Sequence, residues 1–238
     1  MLLALETSAE RGGVALFEGE ALLGEADVAE HERHAASLLV CLDRLLARVG
    51  RPLGDVERIA LAIGPGSFTG LRIGLATALG LAFGTERQLV PVPTLAALAL
   101  QADASGWIAP LLDARRSEVY AGLYDGGGRA LLPDACSGLD AWLARLPAGP
   151  PLAFLGSGAE LHRAALERAL GPRARILPAA AGVLRARSVG RLGLRLAAAG
   201  AALPPEKVEL RYLRRAEAEA KRLALHPDAE SIPWADPR

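Results

Sequence analysis

The chain has 238 residues, 51% of them hydrophobic and 23% charged, a balance that excludes a mainly disordered protein. At about 150 residues per domain this is one large or two small domains, long enough to fold without disulfides or a structural metal. The 27 basic and 27 acidic side chains cancel, so no overall field draws the chain to nucleic acid or to an anionic membrane.

Residues 2–7 (LLALET) and 13–17 (GVALF) read as buried strands around a Glu10-Arg11-Gly12 turn, and the more polar stretch 20–28 as an edge strand. A helix follows over 33–49. Its apolar residues Ala35, Leu38, Leu42, Leu45 and Val49 keep a 3–4 spacing, and Gly50 and Pro52 stop it. Strand 58–63 runs into the glycine turn Gly64-Pro65-Gly66-Ser67-Phe68-Thr69-Gly70, and a second helix spans 68–84. Strand 89–92 and a helix over 94–102 close a first lobe, residues 1–103. A second lobe, 104–203, opens with strands 107–112 and 117–124 joined by Asp113-Ala114-Arg115-Arg116. It continues through a Gly126-Gly127-Gly128 tip, a helix over 138–145, strand 152–155 and helices over 159–169 and 183–199. Pro204-Pro205 set off a charged segment, 204–238, expected to be partly helical. Strands followed by alternation with helices give an α/β protein with mixed sheets.

Cys41 and Cys136 are too few for a disulfide framework or a four-cysteine zinc site. The first residues lack a basic stretch and meet Glu6 early, unlike a signal peptide. No apolar run reaches about 18 residues, so no membrane span is expected, and the chain reads as soluble and cytoplasmic. Abundant Arg with scarce Lys and no Asn fits a GC-rich genome.

The glycine turn sits between a strand and a helix, where backbone amides can cradle an anion. It lacks the Lys of a Walker loop, and its third glycine comes one residue late for a dinucleotide loop. A tight turn capped by Ser67 is the equal alternative. On the helix that follows, Leu71, Leu75, Leu79 and Phe83 form an apolar ridge, and Gly70, Gly74, Ala78 and Ala82 a row of small residues. A helix apolar nearly all round is buried all round. Such a helix is either buried inside one lobe or covered by a partner; the second reading is preferred, with the interface expected at Leu38, Leu42, Leu45, Gly70, Leu71, Gly74, Leu75 and Ala78.

The segment Gly64-Pro65-Gly66-Ser67-Phe68-Thr69-Gly70-Leu71-Arg72-Ile73-Gly74 resembles the hallmark of the bacterial TsaB (YeaZ) family. Leu3-Ala4-Leu5-Glu6-Thr7-Ser8, His34-Ala35-Ala36-Ser37-Leu38-Leu39, Thr94-Leu95-Ala96-Ala97-Leu98, Asp113 through Tyr120 and Tyr212-Leu213-Arg214 agree in order and spacing. The likeness is strong over residues 1–125 and weak beyond. It implies a two-lobed actin-like ATPase fold (ribonuclease H-like, with mixed sheets) and a part in making threonylcarbamoyladenosine beside the tRNA anticodon. It also implies a heterodimer with the catalytic paralogue TsaD, the small ATPase TsaE as a further partner, and only indirect contact with tRNA. ATP and metal are expected on TsaD and no cofactor on this chain alone; the apolar helix pair suggests a homodimer when the chain is alone.

The TsaD metal-binding histidine pair corresponds here to Thr94 and Leu98, and leucine has no ligand atom. The hairpin Asp113-Ala114-Arg115-Arg116 has no glycine to approach phosphate. By this reading there is no catalytic or metal residue. The cleft or nucleotide candidates are Glu6, Thr7, Ser8, Gly64, Gly66, Ser67, Asp113 and Arg115, with Gly156-Ser157-Gly158 as an adenine-loop remnant. Glu6 stands where the family usually has Asp. His31 and His34 have the spacing of a metal pair but no third ligand and read as a solvated helix end, and His162 and His226 read as surface residues. Arg211, Arg214, Arg215, Lys221 and Arg222, mixed with Glu217 and Glu219, read as a solvated helix rather than a tRNA patch. The competing reading is an actin-fold ATPase or metallopeptidase with its own active site.

Overall fold

The computed structural model describes residues 1–9, 11–28, 35–102, 104 and 106–214. In the first lobe, β1 (Leu2–Glu6), β2 (Gly13–Glu18) and β3 (Ala21–Asp27) form an antiparallel meander. Helix α1 (Ala35–Val49) leads to β4 (Arg58–Gly64), and α2 (Phe68–Ala82) to β5 (Gln88–Pro93). Both added strands are parallel to β1, giving the order β3-β2-β1-β4-β5. Helix α3 (Thr94–Gln101) crosses to the second lobe.

That lobe repeats the plan. Strands β6 (Trp107–Arg115), β7 (Glu118–Asp125) and β8 (Ala130–Gly138) form the meander. Helix α4 (Leu139–Leu143) then precedes β9 (Leu152–Leu155). Helices α5 (Ser157–Leu161) and α6 (Arg163–Leu170) precede β10 (Ala174–Ile176), and α7 (Ala186–Ala198) follows. The order β10-β9-β6-β7-β8, with β9 and β10 parallel to β6, is the first sheet's topology over again.

Two strands escape the sequence reading. Strand β8, in a stretch that the sequence pattern assigns to no element, contains Pro133 and Asp134, residue types disfavoured in strands; the sheet accommodates them because β8 is an edge. Strand β10 is only three residues long. The single helix expected over 159–169 breaks at His162 into α5 and α6.

Strand alternation gives the first sheet two buried faces. Leu3, Leu5, Val14, Leu16, Ile59 and Leu61 meet Leu38, Leu42 and Leu45 of α1 and Ala78 and Ala82 of α2. The opposite face carries Ala4, Ala15, Ala60 and Ala62. Glycines let α7 approach this face closely: a Cβ on Gly193 would lie 2.5 Å from the Ala60 Cβ, and one on Gly190 would overlap the Phe17 ring. Helix α7, although it falls in residues 104–203, thus packs against the first sheet. The core between α3, α7 and the two sheets includes Ile108, Tyr124, Ala153 and Leu155 of the second lobe. Among the described residues no helix is long and apolar enough to cross a membrane.

Candidate functional site

The C-terminal end of β1 delivers Glu6, Thr7 and Ser8 to the start of α2, and all three are buried. Glu6 Oε1 accepts hydrogen bonds from Ser8 N and Ser8 Oγ, both at 2.7 Å, and from Ala9 N at 3.0 Å. Its Oε2 is buried without a hydrogen-bond partner among the described residues. Burial outweighs the three donors and pushes the carboxyl up to about 7.

The β4–α2 turn closes over this end. Gly64, at φ +116°, occupies backbone space that favours glycine, and its N–H donates to Thr94 Oγ1 at 3.2 Å. Ser67 N donates to Ser8 O at 2.8 Å, and Ser67 Oγ caps α2 by accepting from Gly70 N at 3.2 Å. Each glycine of the hallmark segment faces the chain's own atoms. A Cβ on Gly66 would lie 2.5 Å from Ser8 O, and one on Gly64 would lie 2.5 Å from Arg211 O. Cβ atoms on Gly70 and Gly74 would overlap the Thr7 carbonyl oxygen and hydroxyl. The glycines therefore serve close packing of strand, turn and helix. On the side a Cβ would take, these glycines meet protein rather than open space.

The second lobe repeats this packing. Cβ atoms on Gly156 and Gly158 would run into β6 at Leu111 and Leu112, and Ser157 Oγ accepts from Asp113 N at 3.1 Å. Asp113 Oδ1 accepts from Arg115 N at 2.7 Å, so this carboxylate orders its own hairpin. Arg115, Arg116 and Ser117 take successive positive φ values of 65°, 53° and 61°, a strained turn for side-chain-bearing residues. The Arg115 side chain is 81% exposed. Glu6, Thr7, Ser8, Gly64, Gly66 and Ser67 thus come together, whereas Asp113 and Arg115 form a separate turn on the other lobe.

Thr94 and Leu98 are buried core residues. Among the described residues no three His, Cys, Asp or Glu side chains are grouped to hold a metal ion. His31, His34, His226 and the basic residues from Arg215 onward lie outside the described residues. His162, read as a surface residue, is half-buried with its Nε2 shielded.

The face read from the sequence as a partner interface is buried within the chain. Leu38, Leu42, Leu45, Leu71, Gly74 and Ala78 are buried within the chain, and Gly70 packs on Thr7. Leu75 is half-buried against the same core. On these two helices the large exposed apolar side chains are instead Leu39 and Val40 of α1, Leu79 of α2 and Phe83 at its end, the last 88% exposed. The reason is helical geometry. Residues spaced by four turn about 40° per step at 3.6 residues per turn. Leu71 faces the sheet, so Phe83, three steps later, points about 120° away from it.

Sequence reasoning also missed the ties made by Arg211 and Arg214. Arg211 Nη1 lies 2.9 Å from Asp134 Oδ2, and Arg214 Nη1 donates to Ala114 O at 2.6 Å. A run of mixed charges gives no sign of such partners; Tyr212-Leu213-Arg214 marked the place only as part of a family likeness.

Comparison with known proteins places this geometry among relatives. Residues 28–221 match the family model described as TsaD, tRNA N6-adenosine threonylcarbamoyltransferase. The tRNA threonylcarbamoyladenosine biosynthesis protein TsaB of Bacillus subtilis is 34% identical over 226 residues, which is 92% of this chain and 96% of that protein. The structure of YeaZ from Pseudomonas aeruginosa superposes with a TM-score of 0.77 at 30% identity, covering 89% of this chain and 99% of that one. The activator of 2-hydroxyisocaproyl-CoA dehydratase from Clostridium difficile gives a TM-score of 0.50 at 8% identity over 89% of this chain and 99% of that one. That likeness concerns the fold alone, a two-lobed actin-like α/β fold with mixed sheets.

Proposed function

The chain belongs to the TsaB (YeaZ) family, and from that premise we propose that it is a non-catalytic activating subunit. It pairs with TsaD, with TsaE joining, for threonylcarbamoylation of the adenosine beside the tRNA anticodon. The observation that carries this reading is the exposed apolar face of two neighbouring helices: Leu39 and Val40 on α1, Leu79 and Phe83 on α2. Its support on the catalytic side is the packed glycine turn, together with a core threonine and leucine where TsaD carries its metal ligands.

The mechanism is a population shift. A surface that binds one conformation of its partner better than another moves the partner toward that conformation by the difference in affinity. Fully burying a Val, Leu or Phe side chain is worth about 1.5–3 kcal/mol. Four partly exposed ones offer several kcal/mol before the cost of association. Taking a partner from 1:99 to 99:1 needs about 5.5 kcal/mol, the same order. Alone, the chain covers this face with a second copy. ATP and metal act on TsaD, and tRNA is reached through the complex.

The test is a reconstituted reaction of unmodified tRNA, threonylcarbamoyl-adenylate, TsaD, TsaE and ATP, with and without this protein. Modification that needs both TsaD and this chain, and is absent with this chain alone, is the expected result. Modification by this chain alone would overturn the non-catalytic reading. Modification independent of it would overturn the activating one.

A further inference from the structure

Residues 203–214 run between the lobes almost entirely outside regular structure. They begin on the first lobe, where Leu203 and Leu89 exchange backbone hydrogen bonds of 2.8 and 2.9 Å at the edge of β5. Val208 is buried in the core beneath α1 and α2. Arg211 N donates to Ile63 O at 2.8 Å, which seats the Arg211 carbonyl against Gly64. The Tyr212 ring lies 5.1 Å from that of Phe68, at the start of α2. Arg72 covers the Phe68 ring at 3.9 Å and donates from Nε to the Tyr212 hydroxyl at 3.4 Å.

The arginine side chains then reach the second lobe. Arg211 pairs at 2.9 Å with Asp134 of β8, whose side chain is only 2% exposed and whose other oxygen accepts from the Tyr124 hydroxyl. Arg214 donates to Ala114 O at the end of β6 and lies 3.3 Å from Glu118 at the start of β7. A buried carboxylate that loses its counter-charge is strongly disfavoured. The Arg211–Asp134 pair therefore penalises any motion that separates the lobes without bringing water to Asp134.

The lobes have a second joint. The Gln101 amide donates to Ala181 O and Val183 O, in the segment after β10 that packs on β9 and α5 of the second lobe, and accepts from Arg185 N and Ser188 Oγ. Thr94, at the other end of α3, holds Gly64 beside Arg211. The two joints are thus separated by the length of a helix that rises about 1.5 Å per residue over Thr94–Gln101. One joint permits rotation; two separated joints remove it. We propose that residues 203–214 form a clasp that fixes the angle between the lobes, with Arg211 and Arg214 as its hooks.

The experiment measures an interlobe distance by double electron–electron resonance on the full chain. Spin labels are placed on Ala47→Cys in α1 and Arg168→Cys in α6, with Cys41→Ala and Cys136→Ala removing the native thiols. With the clasp intact a single narrow distance is expected. With Arg211→Ala and Arg214→Ala together the distribution broadens, and amide exchange speeds up at least tenfold in peptides spanning 112–120 and 130–138 but not in β1 or β4. Arg214→Ala alone leaves the buried pair in place; it broadens the distribution less and speeds exchange only in 112–120. If the double variant fails to fold, the single variant decides. A distribution as narrow as the parent's in every variant that folds overturns the clasp.

Discussion

The carbonyl oxygen of Thr7 stands where a methyl group on Gly70 would have to go, and the Thr7 hydroxyl fills the same space one turn later, at Gly74. The hallmark glycines are thereby explained as contacts between the end of β1 and the first turns of α2. Gly70→Ala is expected to destabilise the fold by about 1–3 kcal/mol, because backbone must move to admit the methyl. Gly80, on the same helix, has open space around it. Gly80→Ala should stabilise by up to about 1 kcal/mol through helix propensity. Urea melts of both variants test the pair. A Gly70→Ala variant as stable as the parent would mean that this packing is not tight.

Glu6 titrates against its burial. Its carboxyl ionises near 4.5 when the chain is unfolded and at about 7 when folded, so the folded state holds the proton more tightly. The resulting contribution is complete below about pH 4.5 and is lost as pH rises through about 7, an amount of about 3 kcal/mol. Glu6→Gln keeps an acceptor for Ser8 and Ala9 and removes the titration. The stability of the parent minus that of the variant should therefore fall across this window and level off above it. A difference that stays constant with pH excludes a Glu6 carboxyl raised by burial.

Leu79→Glu combined with Phe83→Asp places charge on the exposed side of α2. It should abolish co-purification with TsaD while costing the fold far less than a charge in the core, since Phe83 is 88% exposed and Leu79 is partly exposed. Leu71→Glu, at a buried position, should instead fail to fold. Retained pairing by the double variant moves the interface elsewhere.

Arg87 donates from Nε, Nη1 and Nη2 to the carbonyls of Val56, Leu81 and Leu53 at 2.8, 2.7 and 2.8 Å, fastening the end of α2 to the loop before β4. Arg87→Ala is expected to cost about 2–4 kcal/mol, as these acceptors lose a charged donor. Arg87→Lys should recover only part of this, because an ammonium cannot reproduce the planar fork. Thermal unfolding of the two variants measures the difference.

The periodicity of the amino-acid sequence determined most of the architecture. The short continuous apolar runs LLALE and GVALF marked two core strands, and the 3–4 spacing of Leu38, Leu42 and Leu45 marked the buried stripe of α1. The glycine segment marked the family, because a run of residues without side chains at set intervals is a local record of close packing. What those glycines pack against is decided by the tertiary structure. Thr7, Ser8 and Arg211 lie more than fifty residues away in the chain, and no local pattern names them. The exposed apolar face needed the fold too, since a ridge spaced by four winds round its helix and only the docked sheet decides which part is covered. The same holds for β8, whose proline is legible as strand only once its place at an edge is known, and for Arg211, whose buried partner Asp134 belongs to the other lobe.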